Sequence, residues 1–161
     1  MMRGGRIWPV AMVAMALAGC GGPSPTKLAV TVSASDQLNP NADNQPSPTV
    51  VRIYELKSAD AFNAASFDDL FYDDTSKLGA DLLGRKEIEM LPGQATIVKR
   101  TAEPGTGFVG VVAGFRTPQG TQWRGTLPVV AEDDNPVAVT LAPSSLTIGK
   151  APSGGFLFGL F

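Results

Sequence analysis

Short apolar runs separated by proline and glycine turns are the feature that most constrains the fold of this chain. Runs of apolar and β-branched residues recur through residues 28–148 at a spacing of roughly 8–12 residues. Turn sequences divide them, among them Pro92-Gly93, Pro104-Gly105 and Pro118-Gln119-Gly120. Short strands at this spacing are typical of sandwiches and barrels. The pattern predicts an all-β fold, a two-sheet β-sandwich.

The run from Thr49 to Leu56 has the character of a central strand. Alternation puts Val51, Ile53 and Glu55 on one face and Val50, Arg52, Tyr54 and Leu56 on the other. Apolar side chains on both faces indicate that each face is covered by another element.

The residues after this strand predict a short helical insertion that supplies one of the two covers. Ser66 suits the N-cap of a helix, with Asp68 and Asp69 in the first turn. The apolar stripe of the insertion is Phe62, Phe67, Leu70 and Phe71. We expect the insertion to pack on one sheet or at one end of the sandwich.

The N-terminal region has the features of an export signal. Arg3 and Arg6 precede an apolar run, residues 7–18, that is shorter than the roughly 20 residues of a membrane-spanning helix. Leu17-Ala18-Gly19-Cys20 resembles a bacterial lipobox, in which the cysteine carries a covalent lipid. The chain then divides into a signal peptide (1–19), a lipidated tether (20–27), the sandwich domain (28–148) and a Gly/Phe-rich tail (149–161).

Two other interpretations of Cys20 exist: an ordinary cleaved signal with a chance cysteine, or an uncleaved anchor. The position of the single cysteine favours lipidation, and several acyl chains would give lasting membrane attachment. By resemblance to other bacterial lipoproteins, Gly21 implies sorting to the outer membrane. The tail from Phe156 to Phe161 shows no periodicity, which favours a disordered end over a docking or membrane-touching segment.

Composition excludes several chemistries. The chain has no histidine and one cysteine, so it can form no Ser-His-Asp or Cys-His catalytic group and no internal disulfide. Its formal net charge is −2, and removal of Arg3 and Arg6 reduces 13 basic residues to 11 against 15 acidic ones. We therefore expect no nucleic-acid-binding face.

Paired carboxylates are the remaining catalytic option. The candidates are Asp68-Asp69, Asp73-Asp74 and the acidic run 132–134. Acids at the start of a helix are explained by capping and the helix dipole. A glycosidase-like pair or a calcium site stays an alternative, although neither of the two runs considered for calcium, Asp73-Asp74 and 132–134, matches the EF-hand spacing. We expect no enzyme activity, no metal and no cofactor beyond the lipid on Cys20.

A long polar segment, residues 36–48, follows the first predicted strand. It holds three prolines and three asparagines and has no apolar periodicity, which predicts a loop. Long loops in compact domains are often functional, although composition alone favours a plain surface loop. Leu38 is its one sizeable apolar side chain, and its prolines limit the entropy lost on binding.

Blocks of sequence spread over the chain form a distinctive combination. They are the run from Thr49 to Lys57, Phe67-Asp68-Asp69-Leu70, Leu78-Gly79-Ala80-Asp81-Leu82-Leu83, Leu91-Pro92-Gly93, Val109-Gly110-Val111-Val112-Ala113 and Trp123. This combination resembles the TssJ (VasD/SciN) lipoproteins of bacterial type VI secretion systems, from the lipobox to about Ile148.

The resemblance implies an outer-membrane lipoprotein that faces the periplasm and has a transthyretin-like sandwich with a helical addition. It implies a protein partner, the periplasmic C-terminal region of TssM, and through TssM an indirect association with TssL. No small-molecule substrate is implied. The family's TssM contact is the loop between the first two strands. In this sequence the loop comprises Leu38, Asn39, Pro40, Asn41, Ala42, Asp43, Asn44, Gln45 and Pro46.

A function from another class is the binding of a small hydrophobic ligand inside the sandwich of a periplasmic lipoprotein. That function requires a roomy apolar cavity between the sheets, and a filled core would count against it.

Overall fold

The computed structural model describes residues 22–152, which form two four-stranded sheets with a helical insertion. Cys20, the predicted signal peptide and the tail from Phe156 lie outside these residues. The strands are β1 (Lys27–Ala34), β2 (Thr49–Leu56), β3 (Leu82–Met90), β4 (Ala95–Thr101), β5 (Phe108–Ala113), β6 (Arg124–Pro128), β7 (Asp134–Leu141) and β8 (Leu146–Lys150). The predicted two-sheet sandwich with helices after its second strand is confirmed.

One sheet has the strand order β4-β1-β7-β8 (sheet A) and the other β3-β2-β5-β6 (sheet B). Among the described strands, β1 and β7 pair in parallel, with Val30 opposite Val137, and the other neighbours are antiparallel. The parallel pair fixes the directions of all the strands in sheet A. As a result β1 begins, and β8 ends, at the same end of the sandwich.

The connections gather at two opposite ends of the sandwich. We call one the tether end, which holds residues 22–26, 102–107, 129–133 and 151–152. We call the other the loop end, which holds residues 35–48, 91–94, 114–123 and 142–145. The eight residues of β1 separate the two ends by about 26 Å, at about 3.3 Å per residue.

The core lies on both faces of β2, as the alternation predicts. Val51 and Ile53 point between the sheets, into a cluster that also contains Val30, Val139 and Leu146. On the opposite face, Tyr54 and Leu56 pack against the helical insertion in a second cluster with Phe62, Leu70, Leu78 and Val112. Burial of apolar side chains on both faces makes β2 the central element of the domain.

The insertion comprises α1 (Asp60–Ala64), α2 (Phe67–Tyr72), α3 (Asp74–Leu78) and a 3₁₀ turn (Gly79–Asp81). Ser66 caps α2 as predicted: its hydroxyl accepts from the Asp69 backbone N–H while the Asp69 carboxylate accepts from the Ser66 N–H. Arg52 and Arg124, both on sheet B, donate to backbone carbonyls at the ends of α2 and α1. These cations complement the partial negative charge at helix C-termini.

Two strand boundaries follow from pairing across the sheets. Strand β3 begins at Leu82, directly after the 3₁₀ turn, because Leu82 pairs with Leu56 across an irregularity in β2. Strand β7 begins at Asp134, within the acidic run 132–134, and Asp134 pairs with Lys27 of β1. Within residues 22–152, none of the helices is long and apolar enough to cross a membrane.

Candidate partner-binding site

The loop between β1 and β2, residues 35–48, is the centre of the loop end. Its first residue is tied to both neighbouring turns. The Ser35 N–H donates to the Leu141 carbonyl at 2.8 Å, and the Ser35 carbonyl accepts from Gly93 and Leu38 at 3.0 Å each. The base of this loop therefore belongs to the hydrogen-bonded framework of the sandwich.

Leu38 does not lie on the surface of the loop. Its side chain is fully buried in the cluster between the sheets, together with Met90 and Phe115. The chain reverses beside it, since the Ser47 N–H donates to the Leu38 carbonyl at 2.9 Å. The expectation that Leu38 offers an apolar contact to a partner needs correction, because the hydrophobic effect draws this side chain into the core and makes it the loop's anchor.

Asn39 joins three of the connections at the loop end. Its amide nitrogen donates to the Pro48 carbonyl, and its amide oxygen accepts from the Arg116 N–H, both at 2.9 Å. Its backbone N–H donates to the Pro143 carbonyl at 2.8 Å. Its φ of 47° lies in the left-handed region, which asparagine tolerates better than most residues. Asn39 is buried and is a support of the loop, so its side chain is not free for a partner.

The exposed part of the predicted partner-binding segment is residues 40–46, which we call the loop tip. Asn41 organises it: its side-chain oxygen accepts from the N–H groups of Asp43 and Gln45, both at 2.9 Å. The Asn41 N–H donates to the Gln45 carbonyl, and the Asn44 N–H to the Asn41 carbonyl. A turn that is already hydrogen-bonded loses little conformational entropy when a partner binds it.

Two large exposed side chains at this end are not part of the predicted site. Leu91 is 50% exposed in the turn between β3 and β4, whose Gly93 donates to Ser35. Tyr72 is 80% exposed and follows Phe71, whose ring lies against Gly114. The sequence signal was weak, because Tyr72 lies one position beyond the apolar stripe of the insertion. These two side chains expose apolar surface, whereas Leu38 is buried.

Comparisons with known proteins identify a family and solved structures that are similar to this chain. The model of the family described as type VI secretion lipoprotein (VasD, EvfM, TssJ) matches residues 26–144. The chain belongs to this family. The crystal structure of the T6SS lipoprotein TssJ1 from Pseudomonas aeruginosa is 32% identical, with a TM-score of 0.77 over 81% of this chain and 99% of that one. No curated protein matches the chain.

Two further structures resemble this TssJ-family chain. Serratia marcescens Lip, a membrane-bound component of the type VI secretion system, is 26% identical with a TM-score of 0.72, over 80% of this chain and 99% of its own. A chain in a structure of the TssM C-terminal domain from EAEC is 25% identical with a TM-score of 0.63, over 79% of this chain and 98% of its own. The matches cover nearly the full length of each structure.

Three of the carboxylates considered as catalytic or calcium sites, Asp69, Asp74 and Asp134, make structural contacts in this TssJ-family fold. The buried Asp74 carboxylate accepts from Arg85 and lies 3.0 Å from the Tyr54 hydroxyl. Burial opposes ionisation of Asp74, but the hydrogen bonds from Arg85 and Tyr54 and the charge of Arg52 lower its pKa overall. Burial also raises the pKa of Tyr54 far above its usual range, which keeps the hydroxyl protonated.

Asp69 and Asp134 are also engaged by neighbouring groups. Asp69 closes the cap of α2 and lies 2.9 Å from Lys77, and these contacts lower its pKa to about 2. Asp134 lies 3.2 Å from Lys27. Within residues 22–152 there is no group of three or more Cys, Asp or Glu side chains placed to hold a metal ion.

Two grooves lie at the tether end of the described part of the chain, and the smaller one is lined by residues of both sheets. One, of about 730 Å³, is lined in part by Lys27, Ala29, Lys99 and Pro136, and another, of about 230 Å³, by Leu127, Val130 and Lys150. The space between the sheets is filled by the cluster around Val51 and Ile53. The geometry thus favours a protein-binding function at the loop end over a ligand held inside the sandwich.

Proposed function

We propose that this TssJ-family protein is an outer-membrane lipoprotein that faces the periplasm and binds the periplasmic C-terminal region of TssM through its loop tip. Lipid on Cys20 anchors it, and binding to TssM connects it indirectly to TssL in the type VI membrane complex. The observation that carries this proposal is the position of the loop tip, residues 40–46. It lies at the loop end, opposite the end from which the chain leads back to Cys20.

The placement of the tether end and the loop end on opposite sides of the sandwich supports this assignment. An anchored domain with its tether end toward the lipid presents the loop end to the periplasmic space. The loop tip is exposed, while its base is fixed by Leu38 and Asn39. A fixed base and an exposed tip form a rigid recognition element of modest area, to which Tyr72 and Leu91 add apolar surface. The matched chain in the TssM C-terminal domain structure agrees with such a partner.

The test replaces residues 40–46 by a Gly/Ser linker and keeps Leu38, Asn39 and Ser47. Calorimetry with the purified C-terminal domain of TssM should show loss of binding, while the thermal midpoint stays close to that of the wild type. The matched control is Glu132→Gln, an exposed substitution at the tether end that should leave the affinity unchanged. Unchanged affinity of the linker variant would refute the loop tip as the contact.

The anchor is tested separately. The Cys20→Ser variant should be exported without its lipid and should fail to support secretion. Full secretion by cells that carry this variant would contradict an obligatory lipid anchor.

A further inference from the structure

The two lateral sides of the sandwich, where the sheets end in edge strands, differ from each other. On one side, β6 and β8 pack together: a Cβ on Gly125 would lie 2.5 Å from the Ile148 side chain, so the two strands are in contact. The opposite side is formed by β3 and β4, and we call it the open side. Among residues 22–152, no strand pairs with the outer edge of β3 or of β4.

Hydrogen bonds at both ends of β4 show which of its backbone groups point outward. The Ala34 N–H donates to the Gln94 carbonyl at 2.8 Å. The Ala102 N–H donates to the Thr26 carbonyl, also at 2.8 Å. Because hydrogen-bonded pairs alternate along antiparallel strands, the even-numbered residues of β4 bond to β1. The N–H and C=O groups that point away from the sheet are those of Ala95, Ile97, Lys99 and Thr101.

Strand β3 can be treated in the same way. The Gly114 N–H donates to the Val50 carbonyl at 2.8 Å, so the even-numbered residues of β2 bond to β5 and the odd-numbered ones to β3. Val51 pairs with Ile88, so the even-numbered residues of β3 face β2. The outward backbone groups of β3 are those of Arg85, Glu87 and Glu89. Both edges of the open side can therefore accept a further strand.

The two edges fit each other in direction and in height. Strand β3 ends at Met90 and β4 begins at Ala95, so both strands have these termini at the loop end. A two-fold axis along the strands, midway between the sheets, places β4 beside β3 of a second copy, and β3 beside that copy's β4. The strands in each new pair are antiparallel. Both loop ends then point in the same direction.

The side chains of the two edges are complementary in this arrangement. On the outer faces, Lys99 comes opposite Glu87 of the second copy, with that copy's Glu89 diagonally beside it. Neither Lys99 nor Glu89 forms an ion pair within the part of the chain that the structure describes. On the inner faces, Val98 comes opposite Ile88 of the second copy, and both side chains are only half-buried in the single chain.

Charge distinguishes this arrangement from other ways of covering the open side. Two copies of β4 paired with each other would bring together four cations and no carboxylate. In the β4–β3 pair, the like charges of Arg100 and Lys86 come opposite each other, but Arg100 is neutralised by Glu55 of its own chain at 2.7 Å. A single strand of another protein could cover one edge only, whereas a second copy covers both at once.

We propose that the open side is a homodimer interface, in which β4 of each copy pairs with β3 of the other. Sheet A of each copy then continues into sheet B of the other, and two eight-stranded sheets form. This interface is independent of the proposed function, because it uses neither the loop tip nor the lipid. It extends that function, since a dimer presents two loop tips on one side.

The first test uses disulfide formation between copies. The complete exported chain carries Cys20→Ser, so that introduced cysteines are its only thiols. Val98→Cys and Ile88→Cys are made in separate proteins, which are mixed and oxidised. The mixture should form a covalent dimer, because Cα atoms opposite each other in a non-hydrogen-bonded pair are about 4.5 Å apart. No covalent dimer in the mixture, or one in the Val98→Cys protein alone, would overturn the proposal.

The second test measures the dimer without a cross-link, by analytical ultracentrifugation. Lys99→Glu places a carboxylate opposite Glu87 twice in each dimer and should raise the dissociation constant about tenfold. The matched control is Lys150→Glu, an exposed lysine on β8 at the other side of the sandwich, which should leave the constant unchanged. A wild-type chain that stays monomeric at about 1 mM, or equal effects of the two substitutions, would refute the interface.

A proline substitution separates the interface from the fold. Ile97→Pro removes one outward N–H of β4 and none of the hydrogen bonds to β1, so the thermal midpoint of the monomer should change little while dimerisation is lost. Retained dimerisation would contradict strand pairing. The Lys99→Glu protein should bind the C-terminal domain of TssM normally, and the loop-tip variant should dimerise normally. Failure of the dimer and failure of the partner contact are thus distinguishable.

Discussion

The two ends of this sandwich hold their irregular connections in place by different interactions. At the loop end, an apolar anchor and neutral hydrogen bonds fix the chain, through Leu38 and Asn39. At the tether end, a buried carboxylate does so. Glu55 is 1% exposed, and its oxygens lie 2.7 Å from Arg100 Nε and 2.6 Å from the Glu103 N–H.

The difference has a consequence for how each end tolerates change. The Glu55–Arg100 pair joins sheet B to sheet A and also holds the connection 102–107, so its loss affects the whole fold. The Asn39 contacts join three surface connections at one end, so their loss should mainly disorder the surface offered to TssM. We therefore expect tether-end substitutions to change stability alone, and loop-end substitutions to change stability and partner affinity together.

The largest effect should come from breaking the tether-end pair. Arg100→Met leaves the Glu55 carboxylate buried without its cation, which typically destabilises a protein by about 3–5 kcal/mol. Urea unfolding measures the change. The double variant with Glu55→Gln removes the charge and should recover a large part of the loss. A single variant as stable as the wild type would show that the pair does not hold the sheets together.

Leu38→Ala should cause the next largest loss of stability. Truncation of a fully buried leucine costs about 2–5 kcal/mol, and here the cavity lies directly below the loop tip. Affinity for TssM should fall in the fraction that remains folded, which Arg100→Met should not cause. Ile97→Ala is the matched control, because Ile97 is 48% exposed and should cost less than about 0.5 kcal/mol. Equal losses of stability at the two positions would contradict the anchoring role.

Asn39→Ala should cost about 1–3 kcal/mol, because it leaves the Arg116 N–H and the Pro48 carbonyl without their partner. It also places alanine at a left-handed φ. If about 1.4 kcal/mol of this cost destabilises the loop conformation that binds TssM, the affinity for TssM drops about tenfold. Asn39→Asp retains the acceptor for Arg116 and should lose less in calorimetry. An alanine variant with full affinity would mean that the tip is ordered without Asn39.

The smallest effect on stability should appear at low pH. It concerns Asp69 in the helical insertion and involves neither the tether end nor the loop end. The Ser66 backbone hydrogen bond and then Lys77 hold the pKa of Asp69 at about 2, below its unfolded value of about 3.9. A carboxyl with a lowered pKa stabilises the fold above the unfolded pKa and loses that contribution as pH falls toward 2. Asp69→Asn should flatten the pH dependence of the melting temperature between about pH 4 and 2.

TssM affinity at neutral pH should be the same for Asp69→Asn and the wild type, since Asp69 caps the N-terminus of α2 and is not part of the loop tip. The matched control is Asp68→Asn, an exposed neighbour on the same helix, which should leave the acid dependence in place. An unaltered acid profile in Asp69→Asn would show that its cap and its Lys77 contact contribute nothing measurable.

Much of the fold could be predicted because its signals are local. The two-faced alternation of β2 and the Ser66 cap depend on residues that lie within a few positions of each other. The position of the candidate loop, between β1 and β2, was also predicted. Which of its residues are exposed was not: Leu38 and Asn39 lie in a polar stretch, and only contacts with Phe115 and Arg116, far along the chain, bury them.

The sequence by itself therefore determined the strands, the helical insertion and the separation of a loop from a core. Only the tertiary structure decided that β1 and β7 pair in parallel, that Glu55 meets Arg100, and that residues 22–26 and 151–152 lie at the end opposite the loop tip. The physical reason is the separation along the sequence between the residues that interact. Alternation and capping follow from neighbours along the chain, whereas strand partners and buried charges depend on residues that meet only when the chain closes on itself.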